Sequence, residues 1–268
     1  MVAGAKPSRS SGPVATRPNV SVCMATFQGE RFVEEQIASI LPQLASGDEV
    51  VIVDDGSTDS TAARIRSIGD GRIRLYTEEV NRGVLCAFER AVRLAKGAVI
   101  FLSDQDDLWE PTKVSIVLRA FQDNEEVQLV ISDASIINDR GEKVADSYFA
   151  WRGEFRDGFF SNLFRSKFHG CVMAFRSSLV PKILPFPLGT RVLHDIWIGS
   201  RNRLSGGRTV YIDDQLVRYR RHSANVTGMT HRRQTRIDQL RSRLDLLFSI
   251  ATFRREEKGG EGSGRDAL

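Results

Sequence analysis

From Val20 onward, short runs of β-branched and other apolar residues that end in turn residues alternate with segments of helical period. This alternation predicts an α/β fold, in which a mainly parallel, mixed sheet is flanked by crossover helices. The predicted strands are residues 20–25, 49–54, 73–77, 98–103, 129–133 and 209–212. Ligands bind at the carboxyl ends of the strands in such sheets, so we expect the chemistry there.

The predicted helices carry apolar residues three and four positions apart, which is typical of a face that packs on a core. The first helix has Phe32, Ile37, Ile40, Leu41 and Leu44 on this face, and a later one has Leu85, Phe88, Val92, Leu94 and Ala95.

Residues 144–168 break the pattern and predict a loop-rich insertion. Its aromatic residues are Tyr148, Phe149, Trp151, Phe155, Phe159, Phe160, Phe164 and Phe168. They could line an acceptor site or simply pack in the core, and the sequence favours neither.

A basic amphipathic helix is predicted from His231 to about Arg255. Its apolar face consists of Ile237, Leu240, Leu244, Leu247 and Phe248. This face could pack on the domain or bind an anionic membrane surface. The predicted organisation is therefore a main domain over residues 19–228, a helical appendage over 229–256, and disordered tails at 1–18 and 257–268.

The composition limits which cellular compartment and which kinds of partner can be expected for this chain. With 268 residues, of which 41% are hydrophobic and 27% charged, the chain can bury one sizeable core. The net charge is only +4, but arginines concentrate in the last quarter and favour anionic partners. Cys23, Cys86 and Cys171 are widely spaced, which predicts reduced core residues. Residues 1–18 contain no apolar run typical of a signal peptide, so we expect a cytoplasmic protein, at most peripheral on the inner face of the cell membrane.

Two carboxylates stand at the end of the second predicted strand. Asp54 and Asp55 are followed by residues 56–59, which lead into a helical segment. Carboxylates at this position could accept hydrogen bonds from a nucleobase or a ribose. The alternative is that the segment supplies only a turn and a helix cap from Ser57, Thr58 or Asp59.

Three acids crowd the end of the fourth predicted strand. Asp104, Asp106 and Asp107 lie within four positions and repel one another unless a cation joins them. Mg²⁺ or Mn²⁺ takes carboxylate and phosphate oxygens together, which predicts a diphosphate-bound metal. A calcium loop is excluded, because Leu108 and Trp109 occupy positions that need an oxygen ligand and a glycine. A helix cap at Asp106 or Asp107 remains the alternative.

Two later segments carry titratable or basic groups. Asp195 follows His194 ahead of an apolar helical run, and it could accept a proton from an attacking hydroxyl or merely cap the helix. After the last predicted strand, Arg220 or Arg221 could pair with phosphate oxygens, and His222 could join a metal shell or stay solvated.

Two common nucleotide-binding motifs are missing from the sequence. No G-x-G-x-x-G follows the first strand, and no G-x-x-x-x-G-K-S/T occurs anywhere. Dinucleotide oxidoreductases and P-loop enzymes are therefore excluded.

Seven short segments, in this order, resemble those of family-2 inverting glycosyltransferases with the GT-A fold, in particular the bacterial rhamnosyltransferase-like branch. They are residues 25–30, 53–59, 81–83, 103–109, 169–171, 194–197 and 219–222. The resemblance implies Asp195 as the catalytic base and Asp106 and His222 as metal ligands. It implies a donor site formed by Thr26, Glu30, Asp54, Asp55, Asn81, Asp104, Gln105 and Arg220. The sequence departs from the family pattern at Phe27, Gln28 and Ile196.

The implied reaction is transfer of a sugar, with inversion and with Mg²⁺ or Mn²⁺, from a dTDP- or UDP-linked donor to a saccharide or lipid-linked acceptor in cell-surface polysaccharide synthesis. Rhamnose from dTDP is the expected donor, with UDP-linked hexoses next, and no nucleic-acid partner is expected. Two alternatives remain. A sugar nucleotidyltransferase would need a Gly-rich phosphate loop that the sequence lacks, and a catalytically degenerate carbohydrate- or membrane-binding module would not need Asp106 and Asp195 together.

Overall fold

Four apolar segments pair in parallel to form one half of the sheet. They are strands β1 (Val20–Thr26), β2 (Glu49–Asp54), β3 (Ile73–Thr77) and β4 (Val99–Ser103). The computed structural model describes residues 17–152, 168–222 and 236–262. In it β1 lies between β2 and β4, and β3 flanks β2. The central strands are buried on both faces, as their continuous apolar runs require.

The other half of the sheet is mixed. Its strands are β5 (Leu108–Trp109), β6 (Val127–Ile137), β7 (Lys143–Ala145), β8 (Met173–Arg176) and β9 (Arg208–Arg220). The strand order is β3-β2-β1-β4-β8-β6-β9-β5, with β7 paired to β6. β8 runs antiparallel to both β4 and β6, whereas β9 runs parallel to β6. The predicted α/β class with a mixed, largely parallel sheet is confirmed.

Two predicted strands are longer than expected, and three strands were not predicted. β6 and β9 extend well past the predicted segments 129–133 and 209–212. Polar residues interrupt the apolar pattern of β9, but the pairing continues through a bulge. Ser132 pairs with Ile212 and Asp133 with Gln215, so the two aspartates between Ile212 and Gln215 are skipped. The strands β5, β7 and β8 are too short to give a sequence pattern.

Helices cover the sheet. They are α1 (Val33–Ile40), α2 (Thr61–Ser67), α3 (Val84–Leu94), α4 (Lys113–Gln122), α5 (Tyr148–Arg152), α6 (Val180–Ile183), α7 (His194–Leu204) and α8 (Arg236–Gly262). The predicted apolar faces of α1 and α3 are in the core, where Ile37, Ile40 and Phe88 are fully buried. α1 ends at Ile40 because Pro42 follows in a 3-10 turn.

The structure contradicts the capping alternatives for two of the three acidic motifs. α4 begins well after Asp106 and Asp107, so neither carboxylate caps it. Asp195 lies inside the first turn of α7 and is not its cap. Only in the first acidic segment does a side chain serve a helix start: the Asp59 carboxylate accepts the N–H of Thr61 at 3.0 Å.

The described part of the aromatic insertion divides between core and surface. Tyr148 and Phe168 are buried in the core, whereas Trp151 is exposed. Residues 153–167, with Phe155, Phe159, Phe160 and Phe164, lie outside the described residues.

The C-terminal helix extends further than predicted. Its described part, α8, spans Arg236–Gly262, and residues 223–235, which include the predicted helix start at His231, lie outside the described residues. The first part of the predicted tail 257–268 is therefore helical. Glu256, Glu257 and Lys258 are good helix formers, which accounts for this extension. The predicted tail 1–18 is described only from Arg17 onward.

The remaining expectations concern cysteines and membranes. Cys23 and Cys171 are buried, Cys86 is partly buried, and all three are free thiols. Among the described helices, none has the length and apolar character needed to cross a bilayer.

Candidate active site

The carboxyl ends of β1, β2 and β4 open onto a cavity of about 460 Å³. Seven of the predicted site residues line it: Thr26, Asp55, Asn81, Asp104, Gln105, Asp106 and Asp195. Its lining also includes His169, Gly170, His194 and Tyr219. The carboxyl ends of the parallel strands and the first turn of α7 therefore contribute to one cavity. Glu30, Asp54, Arg220 and His222 are not among the lining residues.

Asp54 organises the turn after β2. Its carboxylate accepts hydrogen bonds from the hydroxyls of Thr26 (2.8 Å) and Ser57 (2.6 Å) and from the Ser57 N–H (3.2 Å). The side chain is buried and is not among the cavity-lining residues. The predicted donor contact of Asp54 is therefore not supported by this placement.

Asp55 fixes the loop that precedes α3. Its two carboxylate oxygens accept the backbone N–H groups of Arg82 at 2.8 Å and Gly83 at 2.7 Å. The Asn81 side chain also accepts the N–H of Gly83, at 3.1 Å. The loop is held so close to the turn after β2 that a Cβ on Gly56 would lie 2.9 Å from the Asn81 nitrogen. Asp55 and Asn81 thus share one edge of the cavity.

Glu30 forms hydrogen bonds with the segment before α2 and does not line the cavity. Its carboxylate accepts the N–H of Ser60 at 3.0 Å, and its own N–H donates to Asp59 at 3.1 Å. Gln28 makes a parallel set of bonds, because its side-chain oxygen accepts the N–H groups of Thr58 and Asp59. The predicted donor contact of Glu30 is not supported by this placement.

Gln105 clamps the end of β1. Its amide oxygen accepts the Phe27 N–H at 2.9 Å, and its amide nitrogen donates to the Phe27 carbonyl at 3.0 Å. The Phe27 ring is exposed and borders the cavity. Gln105 thereby determines where this aromatic face stands at the rim.

The acids at the end of β4 repel one another. Burial, followed by the carboxylates of Asp106 and Asp195, raises the pKa of Asp104 to about 7, and the Lys113 ammonium opposes this rise. Burial and the carboxylates of Asp106 and Asp104 hold the pKa of Asp107 well above its usual range. Such repulsion is expected where several carboxylates are arranged to bind a cation.

Asp106 and His222 are brought together as predicted. The Nε2 of His222 lies 2.8 Å from a carboxylate oxygen of Asp106, and both side chains are largely buried. The His222 ring packs against Phe32 with 5.0 Å between centroids. A carboxylate oxygen and an imidazole nitrogen thus lie side by side next to the cavity that Asp106 lines.

Arg220 has a different place from the one predicted. It lies within β9, not in a loop, and its side chain is buried. Its N–H donates to Asp107 (2.9 Å), its Nε to the Asp106 carbonyl (2.8 Å), and its guanidinium to Glu35 (2.8 Å). With these bonds Arg220 fixes the loop after β4, and the predicted phosphate contact is not supported.

Lys113 is a site neighbour that the sequence did not reveal. Its ammonium donates to the Cys171 carbonyl at 2.7 Å and lies 4.1 Å from the centroid of the Trp109 ring. Burial lowers the pKa of Lys113 to about 8, although the nearby acids Asp107 and Asp104 favour the charged form. The sequence signal that could have revealed Lys113 is the presence of a lysine on the apolar face of α4.

His194 forms a neutral part of the cavity wall. Its ring stacks on Phe88 with 4.1 Å between centroids. Burial, reinforced by His169, lowers the pKa of His194 to about 3, so the imidazole is uncharged at neutral pH. Within the part of the chain that the structure describes, neither ring nitrogen has a hydrogen-bond partner. His169 adds a second ring nearby, stacked on Tyr148 and edge-on to Tyr219.

The close approach of Gly170 to His194 yields a stability prediction. A Cβ at Gly170 would lie 2.3 Å from Nε2 of His194, whose stacked ring cannot move freely. We expect Gly170→Ala to destabilise the fold by about 1 to 3 kcal/mol, the range for overpacking. Gly71→Ala is the matched control, because a Cβ at Gly71 would have no other described residue within 4 Å beyond its chain neighbours. Equal melting temperatures for the two variants in thermal unfolding would contradict the prediction.

The donor atoms of the site can be compared with the preferences of Mg²⁺ and Mn²⁺. Ligand atoms of Asp104, Asp107 and Cys171 lie within 4.8 Å of one another. However, burial keeps the pKa of the Cys171 thiol well above its usual range, and hard cations prefer oxygen ligands. The carboxylates of Asp104 and Asp106 line the cavity and offer the oxygen ligands that these ions prefer, and His222 adds a nitrogen beside Asp106.

The family model described as glycosyl transferase family 2 matches residues 21–184, more than half of the chain. The chain therefore belongs to glycosyl transferase family 2. Asp195, Arg220 and His222 lie beyond the matched segment.

Individual relatives agree with this assignment. The chain is 29% identical to the Escherichia coli UDP-Glc:alpha-D-GlcNAc-diphosphoundecaprenol beta-1,3-glucosyltransferase WfgD. The aligned 119 residues cover 44% of this chain and 47% of WfgD. The fold is GT-A-like. S. aureus TarS 1-349 in complex with UDP-GlcNAc matches with a TM-score of 0.63 and 20% identity, over 77% of this chain and 60% of that one.

A second solved structure is also similar. The mannosyltransferase PcManGT from Pyrobaculum calidifontis, in complex with GDP-Man and Mn²⁺, matches with a TM-score of 0.59 and 22% identity, over 83% of this chain and 62% of that one. This chain thus spans less than two thirds of the length of each of these three proteins.

Proposed function

We propose that this chain is a metal-dependent, inverting glycosyltransferase that moves a sugar from a nucleotide-diphosphate donor to a hydroxyl of a saccharide or lipid-linked acceptor. The observation that carries the proposal is the convergence of Asp104, Asp106 and Asp195 on one cavity of a family-2 fold. The first two acids end a parallel strand, where donors bind in open α/β sheets. Asp195 approaches from the other wall, where an acceptor would lie.

The donor half of the site is assigned to the edge formed by β1, β2 and β4. Asp55 and Asn81 provide polar atoms for the nucleoside, and the exposed Phe27 ring provides a face for base stacking. Asp104 and Asp106, with His222, are positioned to hold Mg²⁺ or Mn²⁺. A bound divalent cation would supply Lewis-acid neutralisation of the diphosphate. The complexes of TarS with UDP-GlcNAc and of PcManGT with GDP-Man and Mn²⁺ support a nucleotide-sugar donor.

The chemical step follows from where Asp195 stands. Its carboxylate accepts the proton of the acceptor hydroxyl while that oxygen attacks the anomeric carbon. The bond from the anomeric carbon to the diphosphate oxygen breaks on the opposite face, so the configuration inverts. The neutral His194 ring and the aromatic rings of His169 and Tyr219 would then contact the acceptor. The uncharged imidazole of His194 and the hydroxyl of Tyr219 can exchange hydrogen bonds with sugar hydroxyls.

The finer identity of the substrates remains part of the proposal. The rhamnosyltransferase-like motifs favour dTDP-rhamnose, and UDP-linked hexoses are next. A lipid-linked acceptor agrees with the name of WfgD, whose acceptor is an undecaprenol diphosphate sugar. We place the reaction on the cytoplasmic side of the cell membrane, in cell-surface polysaccharide synthesis.

The test is a panel of nucleotide sugars measured by thermal shift with Mn²⁺ and with EDTA. The panel contains dTDP-rhamnose, UDP-glucose, UDP-GlcNAc and GDP-mannose. The correct donor is expected to raise the melting temperature only with Mn²⁺, because the cation would join the diphosphate to the site. The rise should be easy to measure, since ligand at about 100 times its Kd stabilises by about 2.7 kcal/mol. The same mixtures are then assayed for slow release of the nucleoside diphosphate to water.

Each alternative class gives a distinct result in these assays. A donor shift without any nucleotide release would indicate a degenerate binding module. Release of pyrophosphate from a sugar phosphate and a nucleoside triphosphate would indicate a nucleotidyltransferase. A shift of equal size in EDTA would refute the metal dependence.

A further inference from the structure

The C-terminal helix α8 packs on the domain through a face other than the predicted one. Leu246, Ile250 and Phe253 are buried against the core. The Phe253 ring meets Trp197 edge-on, with 5.6 Å between centroids, and the Arg201 guanidinium lies 3.8 Å from its centroid. Both partners belong to α7, the helix that carries Asp195.

This packing leaves four of the five residues of the predicted apolar face in solvent, and the side chain of the fifth, Ile237, lies outside the described part. The exposed fractions are 55% for Leu240, 55% for Leu244, 43% for Leu247 and 73% for Phe248. Spacings of three and four place these side chains on one side of the helix. Contiguous apolar surface of this kind is typical of a binding face and not of an ordinary monomer surface.

The charge of the segment favours an anionic partner. From Arg236 to Arg255, α8 contains five arginines and two aspartates, and its three glutamates follow at positions 256, 257 and 261, beyond the exposed apolar residues. One of the aspartates, Asp245, is directed to the body of the domain, where it accepts the Arg191 N–H at 3.1 Å. Arg241 is exposed and follows Leu240 directly, so it borders the apolar face. A helix with apolar residues on one face and arginines beside them has the composition of helices that lie in the membrane interface.

We propose that α8 lies on an anionic phospholipid surface, with Leu240, Leu244, Leu247 and Phe248 inserted between the headgroups. Arginines beside this face, such as Arg241, would bind lipid phosphates. Because the opposite face of α8 packs on α7, the cavity and Asp195 would be held at a fixed position relative to the lipid. The proposal stands on the helix alone and does not depend on the chemistry assigned to the cavity.

The experiment is co-sedimentation of the full chain with vesicles. Vesicles of phosphatidylcholine with phosphatidylglycerol are compared with vesicles of phosphatidylcholine alone, at low and high salt. Binding is expected only to the anionic vesicles and is expected to weaken at high salt. The double variant Leu244→Ser/Phe248→Ser is expected to lower the partition coefficient at least about tenfold, because it removes apolar surface that would be inserted. Arg241→Gln is expected to cause a smaller loss.

The control variant is Val144→Ser, which changes an exposed apolar residue on β7 and should leave binding intact. All variants should keep the parent melting temperature, since the changed side chains are exposed. Equal binding to both vesicle types, or unchanged binding of the double variant, would overturn the proposal. So would a self-association of the parent chain that the double variant abolishes without vesicles, since the face would then join two copies.

Discussion

Replacing Asp195 with asparagine is expected to lower the rate of sugar transfer by about 10² to 10⁴-fold, the usual contribution of a general base. The substitution keeps the shape of the side chain and an oxygen that can accept the Ile196 N–H, now bonded at 2.7 Å. Binding of the donor should remain near its parent value, because Asp195 faces the acceptor side of the cavity. Initial rates of nucleoside diphosphate release with acceptor, paired with donor affinity from calorimetry, measure the two effects separately.

Two outcomes would remove Asp195 from the proposed role. One is a transfer rate close to that of the parent protein, which would require another base. The other is a loss of donor affinity as large as the loss of rate, which would make Asp195 a donor ligand. A lowered melting temperature would indicate damage to α7, so thermal unfolding is measured first.

Replacing Asp106 with asparagine is expected to abolish the Mn²⁺-dependent stabilisation by the donor and to lower the rate by about a thousandfold. Stabilisation of a leaving diphosphate by a metal is worth several kcal/mol, and each 1.4 kcal/mol corresponds to about tenfold. The neighbouring His222 alone offers a single nitrogen, which hard cations bind less well than a carboxylate. Donor-induced thermal shifts, titrated with Mn²⁺, give the direct readout.

Asp107→Asn is the matched control for this experiment. Asp107 is adjacent in sequence but does not line the cavity, and an asparagine oxygen could still accept the Arg220 N–H. Its Mn²⁺ dependence should therefore resemble that of the parent chain. If Asp107→Asn lost the metal response and Asp106→Asn kept it, the ion would instead belong to the group of Asp104, Asp107 and Cys171.

The parallel half of the fold could be predicted largely because β1, β2 and β4 are buried on both faces and therefore appear as nearly continuous apolar runs. The acids that end β2 and β4 could be placed for a related reason, since parallel strands bring their carboxyl ends to one edge. Asp55, Asp104 and Asp106 do meet there. In contrast, the short strand β8 and the bulged strand β9 depend on partners distant in sequence, which no local pattern encodes.

Two predicted site residues that do not line the cavity instead bond backbone groups distant in sequence. Arg220 looked like a phosphate ligand because it is basic and follows a strand pattern, yet it bonds a loop 113 residues away. Glu30 has a carboxylate suited to a nucleoside, but this carboxylate accepts the backbone N–H of Ser60. Lys113 and His194 were missed for the opposite reason. Their burial is a property of tertiary packing, and it is the largest cause of the lowered pKa of each.

The position of β9 between β6 and β5 bears on how proteins of this kind can exchange parts. The family-matched segment stops at residue 184, yet the strand that clamps the loop after β4 comes from residues 208–220. A chimaera joined near residue 184 would import a foreign β9 and, with it, a foreign clamp on Asp106. Replacing the C-terminal third as one piece would therefore also disturb Asp106 on the proposed donor side. Acceptor preference should instead change through single substitutions around Tyr219 and His169, the proposed acceptor contacts.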